Sequence, residues 1–507
     1  MRKRTSTSTT PDRQAAAVHE LAADASSGRR MSRRHFLTSS ATGVVAGAIA
    51  TEALAGAAPA ADRGRKSGGP GDIRGGRTLL KGGCVLSLDA SVGDLETADV
   101  LIEGSKIVAV QPNLKASAQV IDASNMIVMP GFVDTHRHIW EGQLRNILPN
   151  GLLSDYQRDI TGAARAAYRP EDAYAGDLVS ALGAINAGIT TLLDWSHIGN
   201  SPEHTDAAIA GLRESGIRAV YAYGSGTAGP HNRFPQDIRR LRTQYFASAD
   251  QLLTLAMAAG INADHWAVAR EVSAPITVHV NGTNQLLPVA GAMGPDVTYI
   301  HCCNLAEAEW QMIVDTGGNV SIACPIEMEM GHGVPPIQQA LDHGIRPSLS
   351  ADVETEIPSE FFAQMRAFFT LQRMLLLARQ RAGETNLPNL LTVREVIELA
   401  TIAGAKDNRL DQKVGTLTPD KEADIIMLRM DQINVMPVNN VYGAIVLGMD
   451  TSNVDTVFIG GKLRKSKGKL VGVDLNRVSR LVHESREYIV SKVGWPRTRF
   501  GGYLPGH

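Results

Sequence analysis

Pro130-Gly131-Phe132-Val133-Asp134-Thr135-His136-Arg137-His138 follows directly on the apolar run Met126-Ile127-Val128-Met129. In an extended strand, residues i and i+2 point to the same side. His136 and His138 can therefore offer two imidazoles to one ion. Neutral imidazole suits zinc, iron, nickel or copper. Histidines at this spacing are common by chance, so the pair gains meaning only if the rest of the chain supplies partners.

Seven more apolar segments follow, at 189–193, 217–223, 252–256, 276–280, 297–301, 320–323 and 346–350. Helical stretches separate them. With the segment ending at His138 they make eight strands alternating with helices, over roughly 280 residues, which predicts a (β/α)8 barrel of the α/β class. Thr392-Val393-Arg394-Glu395 is a capping box, and Gly404 suits that helix's C-terminus. A last amphipathic helix is expected near 475–492, with Val478, Leu481, Val482, Tyr488 and Ile489 on one side. Short strands lie outside the barrel at 79–83, 98–104, 106–110, 424–428 and 454–461. They predict one small β-sandwich built from both chain ends. The expected organisation is 77–129 and 413–474 for the sandwich, 130–412 for the barrel and 475–507 for the last helix and tail.

The chain has 507 residues, 44% hydrophobic and 20% charged, which is ordinary for a soluble globular protein. A formal charge of -2 gives no reason to expect a nucleic-acid partner. Ser32-Arg33-Arg34-His35-Phe36-Leu37 matches the twin-arginine export pattern. The Ala- and Gly-rich run at 41–58 is interrupted by Glu52 and is too weak for a stable membrane span. Ala58-Pro59-Ala60 offers a cleavage site. Residues 1–60 thus read as a twin-arginine signal peptide, with Met31 as an alternative start, and 61–76 as a linker. Export to the periplasm or the exterior by that machinery follows. Because the route carries folded proteins, a metal can be loaded before export. Cys84, Cys302, Cys303 and Cys324 form no Cys-x-x-Cys pair, which argues against a zinc ribbon.

Active-site residues of such barrels lie at the C-terminal ends of the strands. Strand five ends in His279, strand six in His301 and strand eight in Asp352. Each alone reads as an ordinary hydrogen-bonded residue; together with His136 and His138 they form a pattern. At this point the chain resembles the amidohydrolase superfamily, in the branch of cytosine deaminases, chlorohydrolases and related aminohydrolases. Three stretches carry the likeness: 130–138; Cys324-Pro325-Ile326 with Gly333-Val334-Pro335-Pro336; and 400–405 with 414–424. It covers nearly everything from 78 to about 471.

The resemblance implies a metal held by His136, His138, His279 and Asp352. It implies Asp352 as the group that orients water and takes its proton, and His301 as the group that polarises the reacting centre. Binuclear members often bridge two metals with a carboxylated lysine, and here no lysine lies between Lys115 and Lys406. One divalent ion per chain is therefore expected, zinc first and iron second.

The chain also departs from the pattern. Deaminases of this branch usually carry Glu three residues after the strand-five His, and here that position is Gly282. In the loop after strand seven, Glu327, Glu329 and His332 are candidates for the missing acid; a solvated acidic loop is the plainer reading. His197 is a second candidate at the mouth. Trp140 is a candidate for stacking on a planar ring, with Arg145 beside it. Cys302 and Cys303 read as packing residues. The expected activity is hydrolysis of a non-peptide C–N bond in a small cyclic or heteroaromatic compound. Amide or ester hydrolysis, or a lyase step, is the alternative within enzymes. A secreted metal-binding protein without turnover is the alternative outside them, although a pure binder has no need of an open coordination position. The partner is a small molecule, and a homo-oligomer stays open.

Overall fold

The computed structural model describes residues 76–358 and 360–496. The expected signal peptide, nearly all of the linker and the end of the tail lie outside the described residues. Five strands come from the N-terminal part: β1 (Arg77–Val85), β2 (Leu95–Glu103), β3 (Lys106–Gln111), β4 (Gln119–Asp122) and β5 (Met126–Pro130). Eight form the barrel: β6 (Phe132–Arg137), β7 (Ile189–Ser196), β8 (Arg218–Gly224), β9 (Leu253–Ala259), β10 (Ile276–Asn281), β11 (Val297–Cys303), β12 (Asn319–Ile322) and β13 (Ser348–Leu349). Four follow: β14 (Ile425–Arg429), β15 (Val454–Ile459), β16 (Lys462–Ser466) and β17 (Lys469–Leu470).

The two chain ends meet where β5 pairs antiparallel with β14, Met129 opposite Ile426 and Ile127 opposite Leu428. They build one nine-stranded sheet in the order β17-β16-β15-β14-β5-β1-β2-β3, with β4 on β1. The sheet curls on itself. The Ile107 N–H donates to the Lys421 carbonyl at 2.9 Å, and the Asp420 N–H to the Ile107 carbonyl at 2.8 Å. Leu80, Val100, Ile102, Val128, Ile425, Met427 and Phe458 fill the interior this creates. The expected sandwich is thus a single folded sheet.

The apolar run 126–129 belongs to this sheet, not to the first barrel strand. The chain crosses between sheets at Pro130-Gly131. The Gly131 N–H donates to Asp424 of one sheet at 3.1 Å, and the Phe132 N–H to Gly188 at the start of the other at 3.1 Å. A Cβ on Gly131 would lie 2.1 Å from the Thr190 side chain, so only glycine allows this approach.

All neighbouring barrel strands are parallel, in the order β13 through β6. An isolated parallel bridge between Arg137 and Asp352 closes the ring. Strand β13 is shorter than the expected 346–350, because Pro347 has no N–H to give a ladder. Between the strands and the outer helices lies the main apolar core. Inside the barrel, Thr135 Oγ1 is 2.7 Å from Ser321 Oγ and 2.8 Å from Ser348 Oγ, a small polar layer below the mouth.

The capping box at Thr392 is present, its side chain accepting from the Glu395 N–H. Gly404 does not end that helix. It sits within it at helical dihedrals, and a Cβ there would lie 2.6 Å from the Val133 carbonyl oxygen, so this glycine lets the helix press on β6. The last helix spans Leu475–Val493 and buries Val478, Ile489 and Val490. Among the described residues no helix is long and apolar enough to cross a membrane.

Candidate metal centre

The strand ends converge as the spacing predicts. His136 Nε2 lies 2.9 Å from Asp352 Oδ1 and 3.0 Å from His279 Nε2. His138 Nε2 is 3.4 Å from Asp352 Oδ1, and His301 Nε2 is 3.8 Å from Asp352 Oδ2. The ligand-capable atoms of His136, His279, His301 and Asp352 all lie within 4.8 Å of one another. Nitrogen and oxygen donors tetrahedrally arranged around zinc stand about 3.3 Å apart, given bonds near 2.05 Å. The spacings suit one ion.

Charge points the same way. Burial, then neighbouring imidazoles, depresses His138 to about 3 and His279 well below the usual imidazole value. These rings are neutral, the form that binds a metal. Burial alone would raise Asp352, but the hydrogen bond and charge of His136 and the other imidazoles hold it well below the carboxylate range. With His136, His138 and His279 neutral, as metal binding requires, that buried carboxylate needs a cation in place of their charge.

Outer groups fix the rings. His138 Nδ1 is 2.9 Å from the Trp195 carbonyl, so it donates there and turns Nε2 to the centre. His301 Nδ1 is 3.1 Å from Glu327 Oε1. Burial would lower His301, yet the Glu327 hydrogen bond and the Asp352 charge carry it above the ordinary value. His301, Cys302 and Asp352 have φ of 69°, 57° and 66°, left-handed values that cost energy for residues with a Cβ. The barrel closure and strand register hold them there.

Above the cluster opens a cavity of about 410 Å³. His138, His279, His301 and Asp352 form its floor, and His197 and His332 stand on its walls. Four expected contacts are placed elsewhere. Trp140 is fully buried and cannot stack on a ligand; its Nε1–H donates to His197 Nδ1 at 2.8 Å, leaving the His197 proton on Nε2. Glu327 is fully buried behind His301 and also accepts from the Ala323 N–H at 2.9 Å. Glu329 faces solvent. The segment Cys324–Glu329 is a short helix, not a loop, so residues two apart point to different sides. Arg145 pairs with Glu354 at 2.7 Å and does not line the cavity. All four cysteines are free, and burial pushes the Cys302 and Cys303 thiols up, consistent with packing.

Tyr156, Arg165 and Trp195 line the cavity and were not singled out from the sequence. The first two lie on a wide helical stretch, Tyr156–Ala164 running into Arg165–Ala167. At Gly282 φ is +125°, and Gln285 clamps the preceding residue, accepting from the Asn281 N–H and donating to its carbonyl. Among the described residues the cavity lining holds no acid besides Asp352.

A closed parallel barrel with this cluster at the C-terminal mouth defines a metal-dependent hydrolase. Residues 127–464 match the model of the amidohydrolase family, and the chain belongs to that family. Its activity is hydrolysis of carbon–nitrogen bonds other than peptide bonds. The chain is similar to a 5'-deoxyadenosine deaminase of Methanosarcina barkeri, 25% identical over 447 residues, 82% of this chain and 99% of that one. Its fold is similar to a zinc-bound adenosine deaminase from Xanthomonas campestris, with TM-score 0.71, 19% identity, and 82% and 98% of the two chains covered. It is also similar to the zinc complex of atrazine chlorohydrolase from Arthrobacter aurescens TC1, with TM-score 0.68, 21% identity, and 81% and 100% covered.

Proposed function

We propose that this protein is a mononuclear hydrolase that releases ammonia or an amine from a small cyclic or heteroaromatic compound. The carrying observation is the ionised, buried Asp352 among His136, His138, His279 and His301, at the floor of an open cavity. His136, His138, His279 and Asp352 would hold the ion; zinc is first by donor set and by the zinc in related structures, iron second. When bound, the ion supplies the positive charge that makes water acidic enough to serve as a nucleophile near neutral pH. Asp352 takes a proton from that water and returns it to the leaving nitrogen. His301, steadied by Glu327, donates from Nε2 to the substituent developing charge on the attacked carbon. The cavity above the cluster has room for one small molecule.

Hydrolysis of an amide or ester at the same centre is the second reading. Gly282 favours it, since the acid that deaminases of this pattern place there is missing. The open cavity beside the cluster weighs against a binding protein without turnover. The Ser32-Arg33-Arg34 motif supports export by the twin-arginine pathway, so the substrate would be met outside the cytoplasm. Metal-loaded protein should be screened on amino-substituted heterocycles, cyclic amides and matched esters, scoring ammonia or amine. Amine release supports the first reading. Silence on every nitrogen substrate with ester cleavage supports the second.

A further inference from the structure

We infer that Arg165 anchors a carboxylate on the substrate. This deepens the hydrolase reading and rests on it. Tyr156, Gln157, Thr161 and Arg165 all line the cavity. Gln157, Thr161 and Arg165 recur every four residues, with Tyr156 beside Gln157, so one face of the helical stretch 153–167 forms the wall. Arg165 is the one side chain of fixed positive charge on that lining.

Its guanidinium is left incomplete. Arg165 Nε is buried without a hydrogen-bond partner. Its Nη1 reaches only the His197 carbonyl, at 3.5 Å. Among the described residues no carboxylate pairs with it. Arg137 holds Asp134 and Glu354, and Arg218 holds Asp424 and Glu422; Arg366 and Arg464 share the unpartnered Nε, but neither lines the cavity, so it is the place of Arg165 that sets it apart. The guanidinium of Arg165 is half-buried on the cavity lining, and its planar fork matches the geometry of a carboxylate. A single cation suits a monoanion better than a doubly charged phosphate.

The place also fits. His197, whose carbonyl touches Arg165, stacks on His138 with ring centroids 4.1 Å apart and planes 9° apart. The anchor is therefore one side chain away from the metal cluster. A molecule could lay its carboxylate on Arg165 and its reactive carbon over Asp352 within a cavity of about 410 Å³. The substrate class is a carboxylate-bearing nitrogen compound, such as a ring acid or an N-substituted amino acid.

Nicotinate and nicotinamide form a matched probe pair, equal in shape and differing in charge. Their binding to metal-loaded full chain is measured by titration calorimetry, which needs no turnover and so does not depend on the reaction class. Native protein should prefer nicotinate by about tenfold or more. R165Q, with metal content unchanged, should lose that preference while its nicotinamide affinity stays. If R165Q does not hold its metal, R165M serves in its place. A preference that survives in the variant would put the carboxylate on the metal cluster and overturn the proposal. Equal binding of the two probes by native protein would overturn it as well.

Discussion

The His138 backbone N–H donates to the Asp352 carbonyl at 2.6 Å, and the Asp352 N–H donates to the His136 carbonyl at 3.0 Å. These bonds close the barrel, and they join the first and last ligands of the cluster. Closure and metal site are one piece of architecture. The strained φ of Asp352 is held by its backbone, not by its carboxylate.

Asp352→Asn therefore leaves the closure bonds in place and removes only charge and proton capacity. Turnover should fall at least about a hundredfold, the lower range for a positioned acid–base group. Circular dichroism should match the native protein, and some metal should remain on the three histidines. Retained turnover would take Asp352 out of the mechanism.

Glu327 tests the support of His301. It joins His301 Nδ1 to the Ala323 N–H through one buried oxygen. Glu327→Gln should lower kcat about 10- to 100-fold while metal content holds. Glu327→Ala should do the same and also destabilise the fold by about 1–3 kcal/mol, because the Ala323 N–H loses its acceptor. Native kcat in both variants would show that His301 needs no such partner.

Elemental analysis of purified protein should return close to one divalent metal per chain. The stretch from Lys115 to Lys406 has no lysine to bridge a second ion. Two metals per chain would defeat the mononuclear reading. Chelation should lower the melting temperature, since the buried Asp352 charge then loses its cation.

Much of this was legible from the chain. Strand-end histidines report their own position, because the barrel rule fixes where a strand-end side chain goes. His136, His138, His279, His301 and Asp352 meet for that reason. The walls were not legible in the same way. Trp140 and His197 both sit near the mouth, yet one hides behind the other, a choice set by packing across 57 positions of sequence. Glu327 and Glu329 look alike as residues of a loop and part company once 324–329 coils into a helix. Arg165 carries no motif; only its place on the cavity lining marks it.

The pH response of stability should reveal a further buried carboxyl, on the helix that presses on the barrel. Asp407 is almost fully buried, with the Ser348 hydroxyl donating to its Oδ2 at 2.6 Å. Burial pushes its carboxyl up to about 7, against about 4 in the unfolded chain. Between these values the native state binds a proton that the unfolded state has released. Its contribution is thus fully present below pH 4 and is lost as pH climbs from about 4 to 7. Asp407→Asn keeps an acceptor for Ser348 and carries no charge. The variant and native protein should be equally stable near pH 4, and the variant more stable at pH 7.5 by about 2–4 kcal/mol. Urea denaturation of both at pH 4.5, 6 and 7.5 measures the gap; metal loss on acidification affects both chains and cancels in the difference. A gap that stays constant with pH would mean that Asp407 is ionised in the native state throughout.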